Sequence, residues 1–257
     1  VREGAAHIYK RQLDGTWGLE QSLRPQTPPN FENFGEKVAI HGNYLALTSG
    51  ANSGRLYIYE RGATEWELVT TFENPRPDRN GYGLYSLVMN ESEILVGARG
   101  DDEFTESLGN GAGAVYRYTL DPSLGWQANG KLYPLSYEGF TTRFGESLAL
   151  EGDILLVGAP NEDSRGAIVI FQLIDDEWNY VKTQNFLVDG TSGITNTHFG
   201  ISVNHDGRDM IVGATRGRDS DNVQTGKAYI YRNYAALNPN ANYEPEADAG
   251  ADINVSD

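Results

Sequence analysis

A repeat constrains this chain more than any other feature. Four segments open with an aromatic residue followed by glycine: Phe34-Gly35, Tyr82-Gly83, Phe144-Gly145 and Phe199-Gly200. They are spaced 48, 62 and 55 residues apart. Each continues into a short strand-like seed: EKVAI, LYSLVM, ESLAL and ISVNH. A tight polar turn follows, then a second apolar seed: YLALTSG, EILVGAR, DILLVGAP and DMIVGAT. A loop of variable length leads to a glycine and a third seed, from Gly54, Gly113, Gly166 and Gly226. Trp66, Trp126 and Trp178 mark a fourth seed.

The N-terminal residues fit the second half of such a unit. Gly4 opens GAAHIYK, and Trp17 follows 13 residues later. The later glycine-to-tryptophan spacings are 12, 13 and 12. The chain therefore reads as half a repeat, three complete repeats and a last repeat of three strands. Seeds of this length are ordinary strands, and no longer window repeats at helical spacing. Four strands per unit, in register, predict an all-β fold: a β-propeller of four-stranded antiparallel blades. A β-sandwich would not explain why strand chemistry recurs at fixed positions. Alternation puts Val38 and Ile40 on one face, with Leu148 and Leu150 in the equivalent places. The expected boundaries are a half blade over 1–30, blades over 31–78, 79–139, 140–190 and 191–232, and a linker over 233–246.

The recurrent aromatics are expected to pack. Trp17, Trp66, Trp126 and Trp178 share one repeat position. Phe34, Tyr82, Phe144 and Phe199 share another. A large apolar ring recurring in register is a packing rule before it is a ligand site.

Phe144-Gly-Glu-Ser-Leu-Ala-Leu, Asp153-Ile-Leu-Leu-Val-Gly-Ala-Pro160 and Gly166-Ala-Ile-Val-Ile-Phe171 resemble the FG-GAP repeat of integrin-α-like propellers. Weaker copies extend the resemblance over residues 4–232. The short glycine-acid turn and the tryptophan strand resemble bacterial secreted and cell-surface members. The family commonly forms seven blades, so the chain is expected to be about five blades or part of a seven-bladed ring. A part upstream, closure as five blades, and completion by a partner all stay open. Residues 247–257 resemble the first strand of a PKD-type immunoglobulin-like domain. A disordered acidic tail is the other reading of them.

Many family members carry a calcium loop in the first turn. The turns here lack the closely spaced carboxylates that calcium needs. His41-Gly42-Asn43 has none, and Asn204 to Asp209 lacks the earlier acids. No metal site or cofactor is carried over. The loops between second and third strands are the candidate binding loops. They hold Arg99, Asp101, Asp102 and Glu103 in one repeat, Asn161, Glu162 and Asp163 in another, and Arg216, Asp219 and Asp221 in the last. Together they form an expected acidic rim that allows weak calcium binding. Arg99-Gly100-Asp101 spells a tripeptide that integrins recognise in ligands, but the family assigns it no role on the integrin-like side.

Composition narrows the function. The 257 residues carry 20 Lys and Arg against 36 Asp and Glu, a formal charge of -16. A nucleic-acid partner needs a concentrated basic surface, and none is present. No apolar stretch is long enough to span a bilayer. The absence of cysteine excludes thiol chemistry and thiolate metal sites. Four histidines show no HExxH arrangement, and no G-x-S-x-G elbow occurs. No catalytic residue is expected. The reading is a non-catalytic extracellular or cell-surface adhesion module for a glycan or protein. A structural subunit of an extracellular assembly, self-associating or completed by another segment, is the alternative. A polysaccharide-active enzyme stands third.

Overall fold

The computed structural model describes residues 4–25, 33–50, 54–74, 84–101, 111–134, 142–185, 197–217, 223–232 and 247–248. Contacts group the chain into two compact units. One comprises residues 1–98 and 116–130, the other 99–115 and 131–257. The described elements are strands joined by turns, with one short 3-10 turn at Glu162–Ser164.

Strands β1 (Ala6–Arg11) and β2 (Trp17–Leu23) form a two-stranded half blade. Blade I contains β3 (Lys37–His41), β4 (Tyr44–Thr48), β5 (Arg55–Arg61) and β6 (Trp66–Glu73). Blade II contains β7 (Ser86–Met89), β8 (Glu93–Ala98), β9 (Ala114–Asp121) and β10 (Gly125–Leu132). Blade III contains β11 (Ser147–Glu151), β12 (Ile154–Ala159), β13 (Ala167–Ile174) and β14 (Glu177–Asn185). Blade IV contains β15 (Phe199–His205), β16 (Met210–Ala214), β17 (Lys227–Tyr231) and β18 (Ala247–Asp248). In each blade the strands lie in chain order. This is the all-β, four-stranded antiparallel meander of propeller blades.

The second and third strands read as nearly continuous apolar runs because both of their faces are covered. In unit 1, Leu45, Leu47, Tyr57, Tyr59 and Trp66 of blade I pack with Ala6, Ile8 and Leu23 of the half blade. The alternate residues Ala46, Leu56 and Ile58 pack with Ile94, Val96, Tyr116, Tyr118 and Trp126 of blade II. In unit 2, Leu156, Ile168 and Ile170 of blade III pack with Phe199, Val212, Tyr229 and Tyr231 of blade IV. One rule covers these three interfaces. The third-strand tyrosines of blades I, II and IV turn toward the blade before them, while the alternate aliphatics Leu56, Ile58, Ile168 and Ile170 turn toward the blade after.

Glycine and the aromatic-glycine pair are two halves of one join. Gly4 bridges to Phe34, Gly113 to Phe144 and Gly166 to Phe199. Gly166 has φ of 101°, in a region costly for side chains. A Cβ there would overlap the Phe199 carbonyl oxygen. Thr142 and Thr197 tighten the join. Their hydroxyls donate to the Ala112 and Arg165 carbonyls and accept from the Phe144 and Phe199 N–H groups. The residue before the aromatic adopts positive φ in three repeats: Asn33, Arg143 and His198.

Two expectations need correction, and a third holds with an exposure that alternation does not set. Trp17 does not pack: it is 67% exposed, whereas Trp66 is 3% exposed. Trp66 lies against the half blade before it, and no described sheet stands before Trp17. Val38 and Ile40 keep the expected face, opposite Leu47 and Leu45. Both are nonetheless exposed, while Leu148 is buried. The half blade has two strands, so it leaves the inner part of that face uncovered. The last repeat gains a fourth strand, because Ala247–Asp248 pair with Tyr229–Ile230 of β17. The rest of the expected immunoglobulin-like start, the linker 233–246 and Tyr82 lie outside the described residues.

Candidate binding loops

Antiparallel order sorts the connections by length. First-to-second and third-to-fourth strand turns run 2 to 5 residues, except for the 15-residue connection between β17 and β18. Second-to-third loops and the connections between blades run 6 to 15 residues and leave the opposite end of each sheet. A rigid scaffold with variable loops at one end is where recognition residues usually sit. The short turns are closed by their own polar groups. In blade IV the Asp206 carboxylate accepts the Arg208 and Asp209 N–H groups at 2.9 and 2.8 Å. The Asp209 and Arg208 bonds hold that carboxyl below its ordinary value. Asp209 in turn pairs with Arg232 at 3.3 Å.

The structure divides the sequence-selected loop residues. Asp101 is 2% exposed, and its carboxylate lies 3.4 Å from Lys131 Nζ. Its carbonyl accepts the Gly113 N–H, next to the join with Phe144. Arg99 Nη1 donates to both Glu146 oxygens, at 2.7 and 2.8 Å. Arg99 and Asp101 are therefore tied into unit 2, and Arg99-Gly100-Asp101 is not displayed as a ligand tripeptide. Asp102, Glu103, Asp219 and Asp221 lie outside the described residues. Among the described residues no group of three or more acids and histidines is arranged to hold a metal ion.

Asn161, Glu162 and Asp163 begin a compact loop. The Arg165 and Gly166 N–H groups both bond to the Glu162 carbonyl, at 3.0 and 2.7 Å. Asp163 is exposed with φ of 49°. Arg216 is also exposed. The Asn161 and Arg216 N–H groups bond to the carbonyls of Thr142 and Thr197, the threonines of the joins. Blades III and IV thus anchor their loops identically.

This anchoring gathers side chains that the sequence pattern does not single out. The His198 imidazole is held below its ordinary value, first by burial and then by the nearby Arg216 and Arg143 guanidiniums. Glu146 acts in the opposite direction. The loop end of unit 2 thus concentrates Arg143, His198 and Arg216 in a chain of net charge -16. The sequence does hold a signal for this group: Thr-x-Phe-Gly, whose middle residues are Arg143 and His198.

Blade IV is similar to the FG-GAP repeat. Residues 190–231 match that family model, from the connection before β15 to the end of β17. The match and the four-stranded sheets together support a β-propeller architecture. No curated protein matches the chain. Among the described residues no helix is long and apolar enough to cross a membrane.

Proposed function

We propose that this chain is a non-catalytic extracellular or cell-surface module that binds a glycan or another protein through the long-loop end of its blades. The reading rests on one observation above all. Blades III and IV hold Asn161 and Arg216 on identical backbone anchors beside Arg143 and His198. Guanidiniums on a fixed backbone suit carboxylate-bearing or otherwise polar partners, since the fork of donors matches such groups. The FG-GAP similarity agrees with a module of this kind but does not name a ligand.

The test is a glycan array together with capture of purified surface proteins, using the whole chain and the Arg143→Ala/Arg216→Ala variant. A bound ligand should lose at least ~10-fold in affinity in the double variant, about 1.4 kcal/mol, with the melting temperature unchanged. Binding indifferent to both substitutions would refute this site. The second reading is a structural subunit of an assembly, favoured by the exposed aromatic face of the half blade.

A further inference from the structure

Blade I and the half blade, both in unit 1, do not fill the space between them completely. Three cross-strand pairs run along one face of blade I: Tyr59 with Leu68, Tyr57 with Thr71 and Arg55 with Glu73. A bulge between Ile58 and Tyr59 keeps Leu68 on the face of Thr71 and Glu73. These pairs line a cavity of about 290 Å³, together with Pro25 from the end of the half blade. The cavity has an apolar floor. Tyr57 and Tyr59 are buried, and Phe34 packs edge-on to Tyr57 with ring centroids 5.0 Å apart. Burial, and then Tyr57, pushes the Tyr59 phenol up to about 12. Its hydroxyl therefore keeps its proton around neutral pH.

The mouth is polar. Arg55 Nε donates to Glu73 Oε2 at 2.7 Å, and both side chains reach solvent. Thr71 lies next to this pair along the strand. The repeat marks the mouth as an addition. Counting from the third-strand glycine, Arg55 takes the place of Ala114 in blade II and Ala167 in blade III. Both alanines are buried, and Ala167 pairs across the strands with Asn185. Among blades I to III, only blade I carries a charge at this position. A solvent-exposed ion pair adds little stability, so the fold has no need of it. What the pair does supply is donors and acceptors side by side, with no net charge, at the edge of a cavity floored by tyrosine rings.

We infer that this cavity binds a single neutral sugar ring, with the Arg55–Glu73 pair holding adjacent hydroxyls and the tyrosines lining the apolar side of the ring. A sugar hydroxyl both donates and accepts. A guanidinium beside a carboxylate therefore serves two neighbouring hydroxyls with charge-assisted bonds. Tyrosine offers an apolar body and a polar tip, which suits a ring with C–H faces and hydroxyl edges. A charged ligand fits poorly, because an anion meets Glu73 and a cation meets Arg55. The volume lies at the lower edge of small-molecule sites, which matches one ring and not a long chain. The inference does not rest on the reading of Arg143 and Arg216, whose residues belong to unit 2 and whose partner carries a carboxylate or other polar group.

Saturation-transfer NMR and calorimetry of the whole chain test this. The probes are glucose, galactose and mannose at millimolar concentration, with glucuronate, galacturonate and mannuronate as their charged counterparts. At least one neutral sugar should bind, and more tightly than its uronate. Arg55→Ala and Glu73→Gln should each weaken that binding at least ~10-fold, the size of a lost charge-assisted hydrogen bond. Their melting temperatures should match the native chain. Thr71→Val keeps the side-chain shape and should also weaken binding, which gives a reading if a charge variant proves unstable. Arg143→Ala/Arg216→Ala should bind the sugar like the native chain. Absence of binding by all three neutral sugars overturns the inference, as does tighter binding of the uronate. Binding indifferent to Arg55→Ala, Glu73→Gln and Thr71→Val, or lost in Arg143→Ala/Arg216→Ala, would place the sugar elsewhere and overturn it too.

Discussion

Trp66 and Trp17 sit at the same position of the repeat, yet one is covered and the other is not. The strand around each is similar: a tight turn, the tryptophan, a cross-strand arginine. The difference lies in the sheet that stands before it. Trp66 has β2, whose Gln21 side chain accepts the Trp66 N–H at 2.6 Å and donates to its carbonyl at 3.1 Å. Trp17 has no such neighbour among the described residues. A residue's role in a stacked fold is therefore set by the adjacent unit as much as by its own.

The largest test of this comparison truncates both rings. Trp66→Ala should cost about 3–5 kcal/mol in denaturant unfolding, as for a buried tryptophan. Trp17→Ala should stay within about 0.5 kcal/mol at monomeric concentration. Equal costs would break the comparison.

A second contrast lies between blades II and III. At equivalent positions blade III has Ile154 and Ile170, whereas blade II has Glu93 and Arg117. The Glu93–Arg117 pair is buried, so both charges have left water. Arg117→Ile alone should destabilise by about 3–5 kcal/mol, because it strands the Glu93 carboxylate. Glu93→Ile with Arg117→Ile should recover most of that loss. A double variant as unstable as the single one would mean that blade II needs the ion pair for more than charge balance.

The smallest effect is a pH dependence within unit 2. Burial lowers the affinity of His198 and His205 for protons, and Arg216 and Arg143 add to this at His198. Both are neutral in the folded chain at pH values where the unfolded chain begins to take protons. Stability is therefore full above the unfolded value near 6.5 and falls as pH drops below it. The melting temperature should decline from pH 7 toward pH 5, and His205→Gln should flatten that decline. A decline unchanged by His205→Gln would assign it to other groups.

Much of this architecture was legible in the sequence. Aromatic-glycine pairs, third-strand glycines and alternating apolar seeds each mark a backbone requirement that recurs in register. What escaped is what depends on a neighbour. Asp101 reads as a loop acid, but Lys131, 30 residues later, turns it into a buried partner. Alternation puts Val38 and Ile40 on one face, but their exposure depends on the half blade, which supplies too few strands to cover them. Ala247–Asp248 join blade IV from beyond a polar connection that carries no strand pattern. The Thr142 and Thr197 hydroxyls escaped for another reason: a side chain that closes a join leaves only two instances in the text.

The joins at Gly113 and Gly166 have a consequence for how such a chain diversifies. Successive repeats are locked by carbonyls, amides and the absence of a side chain, and little of that depends on which residues fill the sheets. Register is then carried by a few fixed points, and the material between them is free to drift. Blade I replaces Gly-Ala by Thr48-Ser49, blade II takes an ion pair into its sheet, and loops double in length. None of these changes shifts the strand order. A repeat built this way separates inheritance of shape from inheritance of surface, so a new surface does not require a new fold.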